Sequence, residues 1–253
     1  KRMGLLQSIN SFGVINKVSS KYIDKDRQWI GISKRIRTVV VSKNMKDKAD
    51  LKNFEDLAND QWKNRICVRS SNNIYNQSLV ASLISNHGEK KAEKLVKNLV
   101  GNFARKPSGN DRAQILAVAA GEAELAIANT YYYALMLSGQ KGEDQKKAAL
   151  KVLPFFPNQN DRGAHMNVSG GGILKNSPNP QNAKKLLEFL LTKEAQEHIV
   201  NNTFEYPMLE SVKPHVIVQK MGMNFKQDLT TKVDDYQKNQ ADALEVMLKA
   251  GWK

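Results

Sequence analysis

The stretch that most constrains this chain is Ala126-Ile-Ala-Asn-Thr-Tyr-Tyr-Tyr-Ala-Leu-Met-Leu137, where an apolar run ends at Asn129 and three consecutive tyrosines follow. The apolar run reads as a buried strand and the tyrosines as the opening of a helix. In mid-helix, three successive side chains would splay over about 200° and could not serve one site. At a helix entrance, Tyr131 and Tyr132 instead hang over the space beyond the strand end, beside unpaired N–H groups and the positive end of the helix dipole. Tyr133 has a different expectation: with Met136 and Leu137 it forms an i, i+3, i+4 face and belongs to the core.

The pattern recurs upstream. Trp29 to Ser42 alternates at period two and is rich in β-branched residues, so it is a strand, with Ser33, Arg35 and Arg37 on one face. Arginines on a strand built for burial need a partner, either an acidic side chain or a bound anion. Arg65 to Arg69 is a second strand, breaking at Ser70-Ser-Asn-Asn73 into a helix whose first turn holds Tyr75. Twice, then, a strand ends and a tyrosine opens the next helix. In open α/β sheets, ligands collect beyond the carboxyl ends of strands.

Further along, residues 54–58 suggest a short helix, and Ala92 to Phe103 an amphipathic one. Arg112 to Ala120 is helical, with Gly121 as its stop. Lys151 to Pro157 is extended, and His165 to Leu174 runs extended into three glycines suited to close backbone approach or a bend. Asn179-Pro180 caps and opens a helix whose stripe through Leu186, Phe189, Leu190 and Ile199 is expected in the core. A last helix runs from about Asp234 to Gly251.

The 253 residues carry a formal charge of +14, which suits a nucleic acid, an anionic surface or an anionic ligand. The lysines are spread along the chain in solvated pairs such as Lys90-Lys91 and Lys184-Lys185, with no aromatic residues interleaved, which argues against a nucleic-acid module. No apolar run reaches membrane-spanning length. The opening Lys1-Arg-Met-Gly lacks the apolar core and cleavage site of an intact signal peptide. One cysteine, Cys67, excludes an internal disulfide. His87, His165, His198 and His215 have no metal-ligand spacing, and no nucleophile or paired-carboxylate motif is present.

What remains is tyrosine oxygen at two helix entrances and arginine on a strand. Phenolate is a hard anionic donor that suits a hard, highly charged cation. Ionising one tyrosine at pH 7 costs about 4 kcal/mol and three cost roughly 12, so only a cation of high charge density offsets it readily.

These residues bring a family into view. Gly4-Leu-Leu-Gln-Ser-Ile-Asn10, Gly31-Ile-Ser-Lys-Arg-Ile-Arg37, Tyr75-Asn-Gln-Ser-Leu-Val-Ala81, Asn129-Thr-Tyr-Tyr132, His165-Met-Asn-Val-Ser-Gly170 and Gly251-Trp-Lys253 together resemble the periplasmic ferric-iron-binding proteins of bacterial ABC importers. The resemblance implies a bilobal α/β type II periplasmic-binding-protein fold with two hinge strands. One lobe would comprise 1–39 with 165–253, the other 40–164. It implies Tyr75, Tyr131 and Tyr132 as Fe3+ ligands, Arg35 as charge balance or anion contact, and Asn129 as a contact for a synergistic anion. It further implies a monomer that performs no reaction, located in the periplasm and delivering iron to permease subunits in the membrane.

Departures from the pattern are also expected to matter. Many relatives have His where Thr130 stands, Arg where Leu135 stands, and near Ala123 a second cysteine that pairs with the one at Cys67, so Cys67 is expected to be a buried free thiol. Relatives also have a segment before Gly4 that carries the signal peptide and a further His or Tyr ligand, so the chain is expected to be incomplete at its N-terminus. The residues alone leave open a same-fold carrier of a small anion or organic solute, held by Arg35, Arg37 and Asn129.

Overall fold

A computed structural model describes residues 3–222 and 224–253. The opening Lys1-Arg2 of the charged start noted above, and Met223, lie outside the described residues. The strands in chain order are β1 (Leu6–Gln7), β2 (Ile30–Ser42), β3 (Ile66–Cys67), β4 (Leu125–Asn129), β5 (Val152–Phe155), β6 (Met166–Gly171), β7 (Ile173–Leu174) and β8 (Tyr206–Pro207). The chain divides into two compact units: residues 1–35 with 168–220, and residues 36–167 with 221–253.

The larger unit, 36–167 with 221–253, is built on a sheet ordered β3-β4-β2-β5. β3 and β4 run parallel, while β2 runs antiparallel to β4 and to β5. Because strand side chains alternate between faces, Val39, Val41, Leu125 and Ile127 enter one apolar cluster and Val40, Ala126 and Ala128 another. Helices Ile74–His87, Glu89–Gly101 and Gln240–Lys249 supply the first cluster. Helices Asp111–Ala120, Thr130–Leu137 and Glu143–Ala149 supply the second. A sheet covered on both faces explains why β4 is apolar throughout.

Residues 221–253, expected with the first lobe, instead complete this unit. Val246, Met247 and Trp252 lie in its first cluster. The Trp252 indole donates from Nε1 to the Arg69 carbonyl at 2.7 Å and meets Phe103 edge-on at 5.2 Å. The expected single C-terminal helix is two, Val233–Lys238 and Gln240–Lys249, broken at Asn239, whose side chain donates to Ser85. Residues 54–58 form a single 3-10 turn, Glu55–Ala58, too short for an α-helix.

In the smaller unit, β1 pairs with β7 and β8 pairs with the first half of β2, both antiparallel. Buried Gln196 donates to the carbonyls of Ile32 and Leu190 and accepts from the amide of Met208. The glycine run allows close backbone approach: a Cβ on Gly170 would stand 2.8 Å from the Ile30 carbonyl oxygen, and one on Gly172 2.7 Å from that of Gln28. The Pro180–Leu190 helix begins where Asn179-Pro180 suggested, although Asn179 makes no side-chain cap. Its core face differs from the expected one. Leu186 and Phe189 are 55% and 53% exposed, while Leu187 and Leu191 are buried. In the run Leu186-Leu-Glu-Phe-Leu-Leu191 two adjacent apolar rows compete, and periodicity does not say which faces inward.

Candidate metal centre

The parallel register Ile66↔Leu125 and Cys67↔Ala126 sends the ends of β3 and β4 out of the same edge of the sheet. Each then opens a helix. After β3 the chain turns through residues 68–73, and the Asn73 side chain accepts from the Tyr75 amide at 3.2 Å, capping Ile74–His87. After β4 the helix Thr130–Leu137 starts at once, with Asn129 extended at its N-cap position.

The two entrances bring Tyr75 and Tyr131 together, their hydroxyl oxygens 3.4 Å apart. The Tyr131 and Tyr132 rings lie against each other, centroids 4.2 Å apart at 30°. Tyr75, Tyr131 and Tyr132 are each partly buried, whereas Tyr133 is buried in the core with Met136 and donates weakly to the Val152 carbonyl at 3.4 Å. Burial, and then the neighbouring phenols of Tyr132 and Tyr75, push the Tyr131 phenol far above the usual tyrosine range. Without a cation this phenol therefore stays protonated. Among the described residues no group of three or more His, Cys, Asp or Glu side chains could hold a metal ion, so hard oxygen donors at this edge are the tyrosines.

Behind the phenols lies a buried polar cluster. Arg37 and Asp111 are fully buried and ion-paired, Nη1 to Oδ2 at 2.7 Å. The Arg37 guanidinium also donates to the side-chain oxygens of Asn129, at 3.5 Å, and of Asn76. Asp111 accepts the Asn129 amide at 2.7 Å and Arg69 Nη1 at 3.3 Å. Arg37 thus has an internal counter-ion in Asp111. Asn129 keeps one buried side-chain N–H donor, Nδ2, that meets no acceptor among the described residues. Arg35 belongs to the smaller unit, where it donates to Ser169 Oγ at 2.5 Å and pairs with Glu205 at 3.0 Å. Ser33 also donates to Glu205.

The sequence profile of the bacterial extracellular solute-binding proteins matches residues 1–228. The chain belongs to this family. Its similarity to iron uptake protein A1 of Synechocystis is 42% identity over 99% of this chain and 69% of that protein. A solved structure of the Trichodesmium protein FutA, in complex with iron and citrate ligands, is 45% identical with a TM-score of 0.95, over all of this chain and 79% of that one. The ferric binding protein from Campylobacter jejuni is 34% identical with a TM-score of 0.94, again over all of this chain and 79% of that one. The α/β fold is therefore that of the type II periplasmic-binding proteins, as the family resemblance implied.

Sequence reasoning missed Asp111, Asn76 and Arg69 in this family member. Asp111 stands just before the helix read from Arg112, and nothing in a linear pattern pairs it with an arginine 74 positions earlier. Cys67 is a buried free thiol in the same cluster as Ala123, and burial raises its pKa.

Proposed function

We propose that this protein binds ferric iron through the phenolate oxygens of Tyr75, Tyr131 and Tyr132 and hands it to the permease of an ABC importer, acting as a periplasmic carrier without a reaction of its own. The observation that carries this reading is the 3.4 Å approach of the Tyr75 and Tyr131 oxygens, with the Tyr132 ring tilted against that of Tyr131. Two hard donors that close fit within the coordination sphere of one small cation. Three phenolates neutralise a trivalent ion. The relatives named for iron uptake and ferric binding support iron as the cargo. Asn129, with its spare buried donor, is assigned to a synergistic anion such as citrate or carbonate, and Arg35 to charge balance in the loaded state.

A phenol binds the cation as phenolate by giving up its proton, so each ligating tyrosine releases about one proton on binding, and affinity falls as pH falls. Titration with ferric citrate tests this. A visible phenolate-to-iron charge-transfer band should grow in, and calorimetry in buffers of different ionisation enthalpy should count about three protons. Tyr75→Phe, Tyr131→Phe and Tyr132→Phe should each lose the band and most of the affinity while keeping the fold. No band and a proton count near zero would overturn the tyrosinate site.

A further inference from the structure

A metal ion holds two phenolates only if their oxygens stay close while negative charge builds on both. On the β4 side the sheet secures this: Arg37 of β2 lies in register with Asn129, two residues before Tyr131. Among the described residues the β3 side has no such ladder. β3 ends at Cys67, and residues 68–73 intervene before the helix that carries Tyr75. Asn76, the residue after Tyr75, bridges that gap. It is fully buried, accepts from Arg37 Nη2, and donates to the carbonyls of Arg69 at 3.0 Å and Ser70 at 3.2 Å.

One guanidinium therefore holds both entrances, through Asn76 on one helix and Asn129 before the other. Asp111 holds the guanidinium and the Asn129 amide with the same carboxylate oxygen. A buried ion pair is a poor way to gain stability, since an apolar pair of similar volume often does as well or better. What the pair adds is direction: fork-shaped donors aimed at fixed acceptors.

We infer that Arg37 and Asp111 are positioning residues, a buried clamp that acts through Asn76 and Asn129 to set the spacing of the Tyr75 and Tyr131 oxygens. The inference rests on the ferric reading above and adds to it the machinery that holds the donors.

Asn76→Ala cuts the arm to the Tyr75 helix and leaves the ion pair intact. The expected result is a protein that still melts cooperatively but binds ferric iron at least tenfold more weakly, releases one proton fewer, and shows a displaced charge-transfer maximum. Before any metal is added, the Tyr75 ring signals should already differ in the NMR spectrum. Where Asn76→Ala does not melt cooperatively, Arg37→Lys reads the same way, because an ammonium keeps the charge beside Asp111 without the fork. An unchanged proton count and band in the severed variant overturn the clamp, whatever happens to affinity. A wild-type protein without the band overturns the iron reading itself, and the clamp's purpose with it.

Discussion

Arg35 and Arg37 stand two residues apart on β2 and carry the same charge, yet their surroundings differ in kind. Arg37 is fully buried, with Asp111 as counter-ion and two amide side chains as further acceptors. Arg35 keeps 17% of its side chain exposed and shares Glu205 with two serines. As sequence, both were strand arginines awaiting a partner. The difference teaches that one strand can hold two arginines in environments of different kind, one enclosed among internal partners and one that keeps a solvent-facing edge.

Breaking each pair in turn gives the largest expected contrast. Asp111→Ala leaves the Arg37 charge buried without its counter-ion and also strips the Asn129 amide of its acceptor. Removing one partner of a buried pair costs about 3–5 kcal/mol. Arg35→Gln removes a mostly buried charge but leaves Glu205 the hydroxyls of Ser33 and Ser169, so the expected loss is smaller, about 1–3 kcal/mol. Urea unfolding of the two variants measures both. Equal losses would erase the distinction drawn between the two arginines.

A smaller effect sharpens the same contrast through pH. The His165 carbonyl accepts the Arg37 amide at 2.9 Å, and its ring is buried against Tyr236. Burial pulls the imidazole pKa down to about 3; Asp228 opposes the fall, while Arg37 and Arg162 add to it. Between that value and about 6.5 the unfolded chain binds the proton that the folded chain refuses, so stability rises with pH across this window. The contribution is complete above about 6.5 and is lost as pH drops toward 3. It amounts to about 2 kcal/mol less stability at pH 5 than at pH 8. His165→Gln should flatten the dependence of unfolding free energy on pH over this range. A slope identical to wild type would remove His165 as its source.

Much of the framework was legible in the residues. The period-two run is β2, Asn73 caps the helix that presents Tyr75, and Gly121 ends its helix in the left-handed region with φ 85°. The tyrosine entrances were legible because strand ends and helix starts leave local marks. The clamp behind them was not, because Arg37 meets Asp111 and Asn76 through sheet order and helix packing, contacts that span dozens of residues and leave no periodic trace. The C-terminal segment escaped for a similar reason: the indole of Trp252 donates to the Arg69 carbonyl, 183 positions earlier. Where two apolar rows lay side by side, as at Leu186 and Leu187, pattern alone picked the wrong one.

The smallest expected effect separates the three adjacent tyrosines, which composition treats alike. Tyr133 is buried with Met136 one helical step beyond Tyr132, and its hydroxyl reaches only the Val152 carbonyl, at a long 3.4 Å. Tyr133→Phe keeps the ring and deletes that one contact, so it should cost at most about 1 kcal/mol. The ferric charge-transfer band and the proton count should stay as in wild type, in contrast to Tyr131→Phe and Tyr132→Phe. The measurement pairs a melting curve with a ferric citrate titration on the same sample. Loss of the band in Tyr133→Phe with its retention in Tyr131→Phe would mean that the helix presents a different pair of phenols to the metal. The 3.4 Å approach of Tyr75 to Tyr131 would then lack the role assigned to it, and the Arg37 clamp, which reaches Tyr131 through Asn129, would be holding the wrong donor.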